Sequence, residues 1–168
     1  MIPSRALAVR QPWAWAIFHA DPLKDIENRS AGAIKYLSKL GPTAIHASAG
    51  MTRADYVEAR SYMREIGVEC PLPADLIRGG IIGHVTVAEI VTASDSPWFF
   101  DAPGNRGLRL IDATPCDFIP VTGVLGYFNW RELPGGKPME PMPWMKPKQA
   151  AQGELLPAPT AGLFMGED

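Results

Sequence analysis

Lys24, Glu27 and Arg29 lie close together at the end of "RQPWAWAIFHADPLKDIENRS", residues 10–30. A lysine there supplies a mobile cation suited to a phosphate or a carbonyl oxygen. Arg29 supplies a planar fork that matches phosphate or a base edge. Glu27, between them, has the chemistry to accept from an exocyclic amine or to act as a base. The same residues also admit a plainer reading, a salt-bridge network that pins a helix to a strand. Trp13 and Trp98 are candidate stacking platforms, a contact worth ~1–3 kcal/mol per base. Trp13 also falls on the apolar stripe of its own segment, a core position, which leaves Trp15 as the tryptophan aimed elsewhere. Gln11 is either a binding residue or a weak helix cap. His46 and Ser48 share one face of "AIHAS" (44–48) and point into a cleft, unless His46 is a satisfied core histidine. Ser94-Asp95-Ser96 before Pro97-Trp98 reads as a polar loop over such a cleft, with Arg109 a further candidate.

The elements that must position these residues can be read from period and punctuation. "RALAV" (5–9) suits a first strand. In "QPWAWAIFHA" (11–20) the apolar positions recur at helical spacing, with Pro12 where a first turn tolerates it. Asp21-Pro22 ends that helix, and the alternation of "DIENRS" puts Glu27 and Arg29 on one face of a strand and Ile26 on the other. "PTAIHAS" (42–48) reads as a strand. "TRADYVEARSYMREIG" (52–67) reads as a helix, opened by the capping-box pair Thr52 and Asp55 and stopped by Gly67. "GGIIGHVTVAEIVTA" (79–93) is a strand with Ile82, His84 and Thr86 on one side and Gly83, Val85, Val87 and Glu89 on the other. "GLRLID", "CDFIPV" and "GVLGYFNW" follow as shorter strands. The early placement of the helices and the run of later strands predict an α+β fold, a small barrel with two main helices inserted between early strands.

Composition narrows the function classes. The chain has 168 residues, 46% hydrophobic and 20% charged, with a net charge of −2, which argues against coating nucleic acid by bulk attraction but leaves room for a local basic patch. Cys70 and Cys116 are far apart and form no C-x-x-C, so two free thiols are expected rather than a zinc or disulfide framework. His19, His46 and His84 lack metal-ligand spacing, so no metal and no cofactor is expected. No apolar run approaches the roughly 18 residues of a membrane span, and Arg5 and Arg10 interrupt any signal-peptide core, so a cytoplasmic protein is expected. "GGIIG" lacks dinucleotide-loop spacing and no serine-hydrolase elbow occurs. From about Leu133 proline, glycine and methionine dominate. The organisation expected is therefore a domain over 1–133 and an extended, partly docked arm over 134–168.

Lys24-x-x-Glu27-x-Arg29, with "ALAVRQPWAWAI" before it and "AIHAS" after it, resembles the signature of the ASCH family, the activating signal cointegrator homology domains. The family pattern is G-x-K-x-x-E-x-R, and Pro22 stands here where the first glycine falls. "GGIIGHVTVAEIV", "SDSPWFF" and "GVLGYF" are similar to later family segments, so the resemblance covers about residues 5 to 130. It implies a PUA-like β-barrel whose cleft, lined by the signature, recognises RNA or a nucleotide-like small molecule. It also implies an alternative, a small hydrolase of acylated cytidine or a ribonuclease. In the amidohydrolase branch a threonine nucleophile stands at the position of Glu27, while the matching lysine is present at Lys24. Glu27 could serve there only as a general base with Lys24, and a further carboxylate, Glu89 or Glu58, would be needed. The arm leaves room for a protein partner.

Overall fold

The computed structural model describes residues 1–37 and 39–148. Its elements are β1 (Arg5–Val9), α1 (Trp13–His19), β2 (Ile26–Ser30), α2 (Ala31–Leu37), β3 (Gly41–Ala47), α3 (Arg53–Glu65), β4 (Gly80–Val91), β5 (Asn105–Pro120) and β6 (Tyr127–Asn129). The strands form one mixed sheet in the order β2-β5-β4-β3-β1-β6, curled into a half-barrel. β1 and β3 run parallel; every other pairing is antiparallel. Register shifts punctuate β3–β4 once and β4–β5 three times, the irregularities that let a sheet bend sharply.

Two apolar clusters meet on α1. Ala14, Ile17 and Phe18 join Leu7, Val9, Ile45, Val85 and Leu108 inside the sheet. Ala16 and Ala20 face the other way, toward Ile26, Met63, Val68 and Trp98. A seven-residue helix is too short to stand alone, so burial on both sides is what holds it. Each large side chain buried this way is worth about 1.5–3 kcal/mol. The approach is tight at Gly83, where a Cβ would come within 2.6 Å of the Phe18 ring and the Thr114 carbonyl.

α3 starts at the expected capping box, with Thr52 and Asp55 each bonding the other's backbone N–H, and it buries Tyr56, Ala59 and Met63. Three points differ from the sequence expectation. A third helix, α2, follows β2 directly; Ser30 Oγ accepts from the Ala33 N–H at 3.2 Å, yet Leu37 is its only buried residue, so no apolar stripe announces it. "GLRLID" and "CDFIPV" are one 16-residue strand, because Asp112 at φ 55° and the register shifts absorb the bend within it. On β4 the alternation holds through Val87 and then breaks at the Val87/Glu89 shift, which turns Glu89 out to solvent.

Past β6 the chain turns back over the sheet. Val121 and Gly135 form an antiparallel bridge, and the Met139 N–H donates to the Arg78 carbonyl at 3.2 Å. Met145 then inserts among Met51, Tyr56 and Leu76. Residues 134–148 of the expected arm are thus docked; residues 149–168 lie outside the described residues.

Candidate functional site

After α1 the chain doubles back, and the Lys24 N–H donates to the Ala16 carbonyl at 3.0 Å. That return places Lys24 beneath the helix, directly before β2. Its ammonium is 2.6 Å from Glu27 Oε2 and also donates to the Ile26 carbonyl. Glu27 Oε1 takes Arg29 at 2.9 Å. The same nitrogen, Arg29 Nη2, also donates to the Ala8 carbonyl on β1 at 2.8 Å. β2 is the sheet edge opposite β6, so this guanidinium bridges two parts of the curl that no strand pairing joins. Lys24 and Glu27 are buried, at 2% and 7% exposure. Burial draws the Lys24 ammonium below the usual lysine range, outweighing the Glu27 carboxylate beside it. Burial pushes Glu27 the other way, but Lys24 and Arg29 together outweigh it and hold the carboxyl below its ordinary range.

Two cations therefore share one carboxylate in a buried setting. Among the described residues Arg29 Nε has no hydrogen-bond partner. Ala8, whose carbonyl Arg29 reaches, also lines a cleft of about 220 Å³ with Arg10, His46, Ser48 and Gly123–Leu125; Lys24, Glu27 and Arg29 do not line this cleft themselves, unlike the signature-lined cleft the sequence suggests. His46 is almost fully buried; its Nε2 pairs with the Val121 carbonyl at 2.9 Å and its Nδ1 has no partner among the described residues. Burial lowers its pKa, against the opposing pull of the Val121 carbonyl. Gly123 is folded over that ring, where a Cβ would come within 2.3 Å of it. Arg10 at the lip is tied to Asp55 of α3 at 3.2 Å.

The remaining sequence candidates divide. Ser48 is half-buried in the same cleft as His46. Gln11 is buried, its Oε1 accepting from the Trp15 N–H and its Nε2 donating to the Ile77 carbonyl, both at 2.8 Å, so its amide is consumed in holding α1. Trp13 is half-buried in an edge-on cluster with Tyr62 and Phe100, at 5.8 and 5.6 Å between centroids. Trp98 offers no face for stacking: it is 0% exposed, with its indole N–H donated to the Pro22 carbonyl. The proline before it and the polar loop had the look of a lid, but the indole is the loop's anchor in the core. Arg109 pairs with Glu89 at 2.6 Å on the sheet surface, and Glu58 lies exposed on α3; neither carboxylate touches the Lys24–Glu27–Arg29 group.

Sequence reasoning passed over two residues that build the site. Asn28 alternates away from Glu27 and Arg29, and its amide holds the Trp98 carbonyl and the Phe100 N–H, fixing the 94–100 loop to β2. Its signal was the same alternation that selected its neighbours. Arg78 is 3% exposed and donates to the Ala49 and Glu140 carbonyls, clamping the arm beside the cleft. Nothing in its local sequence marks it.

No protein-family model and no curated protein matches this chain.

Proposed function

We propose that this chain is an ASCH-like module with a PUA-like barrel, which binds a phosphate-bearing nucleotide, free or as a unit of RNA, at the cleft beside Lys24, Glu27 and Arg29. The observation that carries the reading is the charge imbalance of the buried group: two cations on one carboxylate, with the buried Arg29 Nε–H unpartnered among the described residues. Buried charge is expensive unless compensated, and an anionic ligand supplies the missing compensation. The signature spacing and the segments around it support the same ligand class. The cleft's volume is below the ~300–1,000 Å³ of sites that enclose a whole small molecule, which suits one part of a nucleotide with the rest outside. The hydrolase reading gains no observation, since both Glu27 oxygens are engaged by cations and neither Glu58 nor Glu89 stands near.

The test is calorimetric titration of nucleoside 5′-monophosphates into wild type and Lys24→Met, each at two salt concentrations. Salt-sensitive binding weakened at least tenfold in a folded Lys24→Met variant is the expected result. Equal affinity in the two proteins refutes the placement of the site.

A further inference from the structure

A second surface, away from the signature, is built from the outer face of α3 and the docked arm. Arg53, Val57, Arg60 and Arg64 recur at i, i+4, i+7 and i+11, so they form one stripe along the helix. All four are exposed, and no ion pair among the described residues involves the three arginines. The stripe borders two adjoining hollows of about 820 and 260 Å³ that share Arg60 and Leu72. The arm adds Lys146 and the half-buried Trp144 to the smaller hollow, with Trp144 tilted against Tyr56 at 6.1 Å. Glu69 is the one acidic residue lining either hollow among the described residues. From Arg53 to Arg64 the helix rises roughly 16 Å. That length spans about five nucleotides at the stacked spacing of ~3.4 Å per nucleotide.

We infer that this groove binds single-stranded nucleic acid, its backbone along Arg53, Arg60, Arg64 and Lys146 and a base against Trp144. Guanidinium forks fit phosphate oxygens bidentately, and an aromatic beside a cationic track is the arrangement that holds a single strand without reading its sequence. An acidic peptide would use the charges but leave the aromatic idle. The groove stands apart from the nucleotide site proposed above and does not depend on it. The two together would make the preferred ligand a strand rather than a free nucleotide.

The experiment is fluorescence anisotropy of a labelled decauridylate with the full chain, at about 50 and about 200 mM salt. Four neutralised phosphates give a slope near −2.8 in log affinity against log salt, so wild-type affinity should fall roughly 50-fold across that range. Arg60→Ala/Arg64→Ala should bind more weakly at low salt and lose only about 7-fold. Trp144→Ala should weaken binding at least fivefold with little change in salt slope. Unchanged affinity and slope in the double arginine variant, or no decauridylate binding by wild type, overturns the inference. Equal competition by polyglutamate of matched charge also overturns it, since stacking would then contribute nothing. Mononucleotide binding by the double variant separates the two sites. If wild type fails to bind mononucleotide but binds decauridylate through Arg60 and Arg64, the signature reading falls and the groove stands.

Discussion

Glu27→Gln probes the buried charge group most sharply. The substitution keeps the side chain's shape and removes the only anion that Lys24 and Arg29 contact among the described residues. Lys24 is 2% exposed, so water cannot replace the lost partner. Breaking a buried pair from one side typically costs about 3–5 kcal/mol, because a charge is left uncompensated. For a chain of this size that corresponds to a fall in Tm of roughly 6–20 °C. Lys24→Met acts on the opposite side of the balance. It leaves Glu27 and Arg29 as a neutral pair at 2.9 Å, while Glu27 Oε2 and the Ile26 carbonyl each lose a donor, so its cost is about 1–3 kcal/mol. The variants should also differ in pH dependence. Without Glu27 the Lys24 ammonium is held still further below its unfolded pKa of ~10.4. The unfolded chain then binds more protons than the folded one between the two pKa values, so the stability of Glu27→Gln should climb as pH rises through that window. Urea denaturation of the three proteins from neutral to alkaline pH measures all of this. A loss below about 1 kcal/mol for Glu27→Gln, or equal losses in the two variants, would refute the account of two cations on one carboxylate.

Three further outcomes follow from residues around the site. His46 is buried with its pKa lowered, so its contribution is complete above the unfolded value of ~6.5 and is lost as pH falls toward the folded one; urea denaturation from about pH 7.5 to about pH 5.5 should show a flatter pH profile in His46→Gln than in wild type. Arg78→Ala removes the side-chain tie between Glu140 of the arm and Ala49 after β3, and limited proteolysis should cut between residues 134 and 148 far faster than in wild type, with a stability loss on the order of 2–3 kcal/mol. Thr52→Ala deletes one half of the α3 capping box and should cost ~1 kcal/mol in a thermal melt, leaving mononucleotide affinity unchanged.

The elements with strong local signals were legible in the sequence. The apolar period and Pro12 marked α1, the Thr52–Asp55 box marked α3, and alternation marked β2 and the first half of β4. Legibility ended where tertiary contacts decide. α2 buries too little of itself to show a stripe, and β5 survives a left-handed residue at Asp112 because its pairing with β4 holds before and after it, Ile111 with Thr86 and Thr114 with His84. The grouping of Lys24, Glu27 and Arg29 was also legible, since three residues so close in sequence meet through one turn and one strand. The contact of Arg29 with Ala8 was not, because it depends on how far the whole sheet curls. Trp98 and Gln11 show the same limit. Their types suit a ligand, yet their partners, the Pro22 and Ile77 carbonyls, come from distant segments that sequence spacing does not reveal.

The most direct test of the central claim watches Arg29 itself. Its Nε–H has no partner among the described residues, and guanidinium Nε–H groups give resolved signals in proton–nitrogen correlation spectra. Titration with a nucleoside 5′-monophosphate, with the Arg29 signal assigned through Arg29→Lys, should move that signal along a saturable curve while those of Arg60 and Arg64 stay in place. A stationary Arg29 signal at concentrations that saturate binding elsewhere would contradict a nucleotide site at Lys24, Glu27 and Arg29.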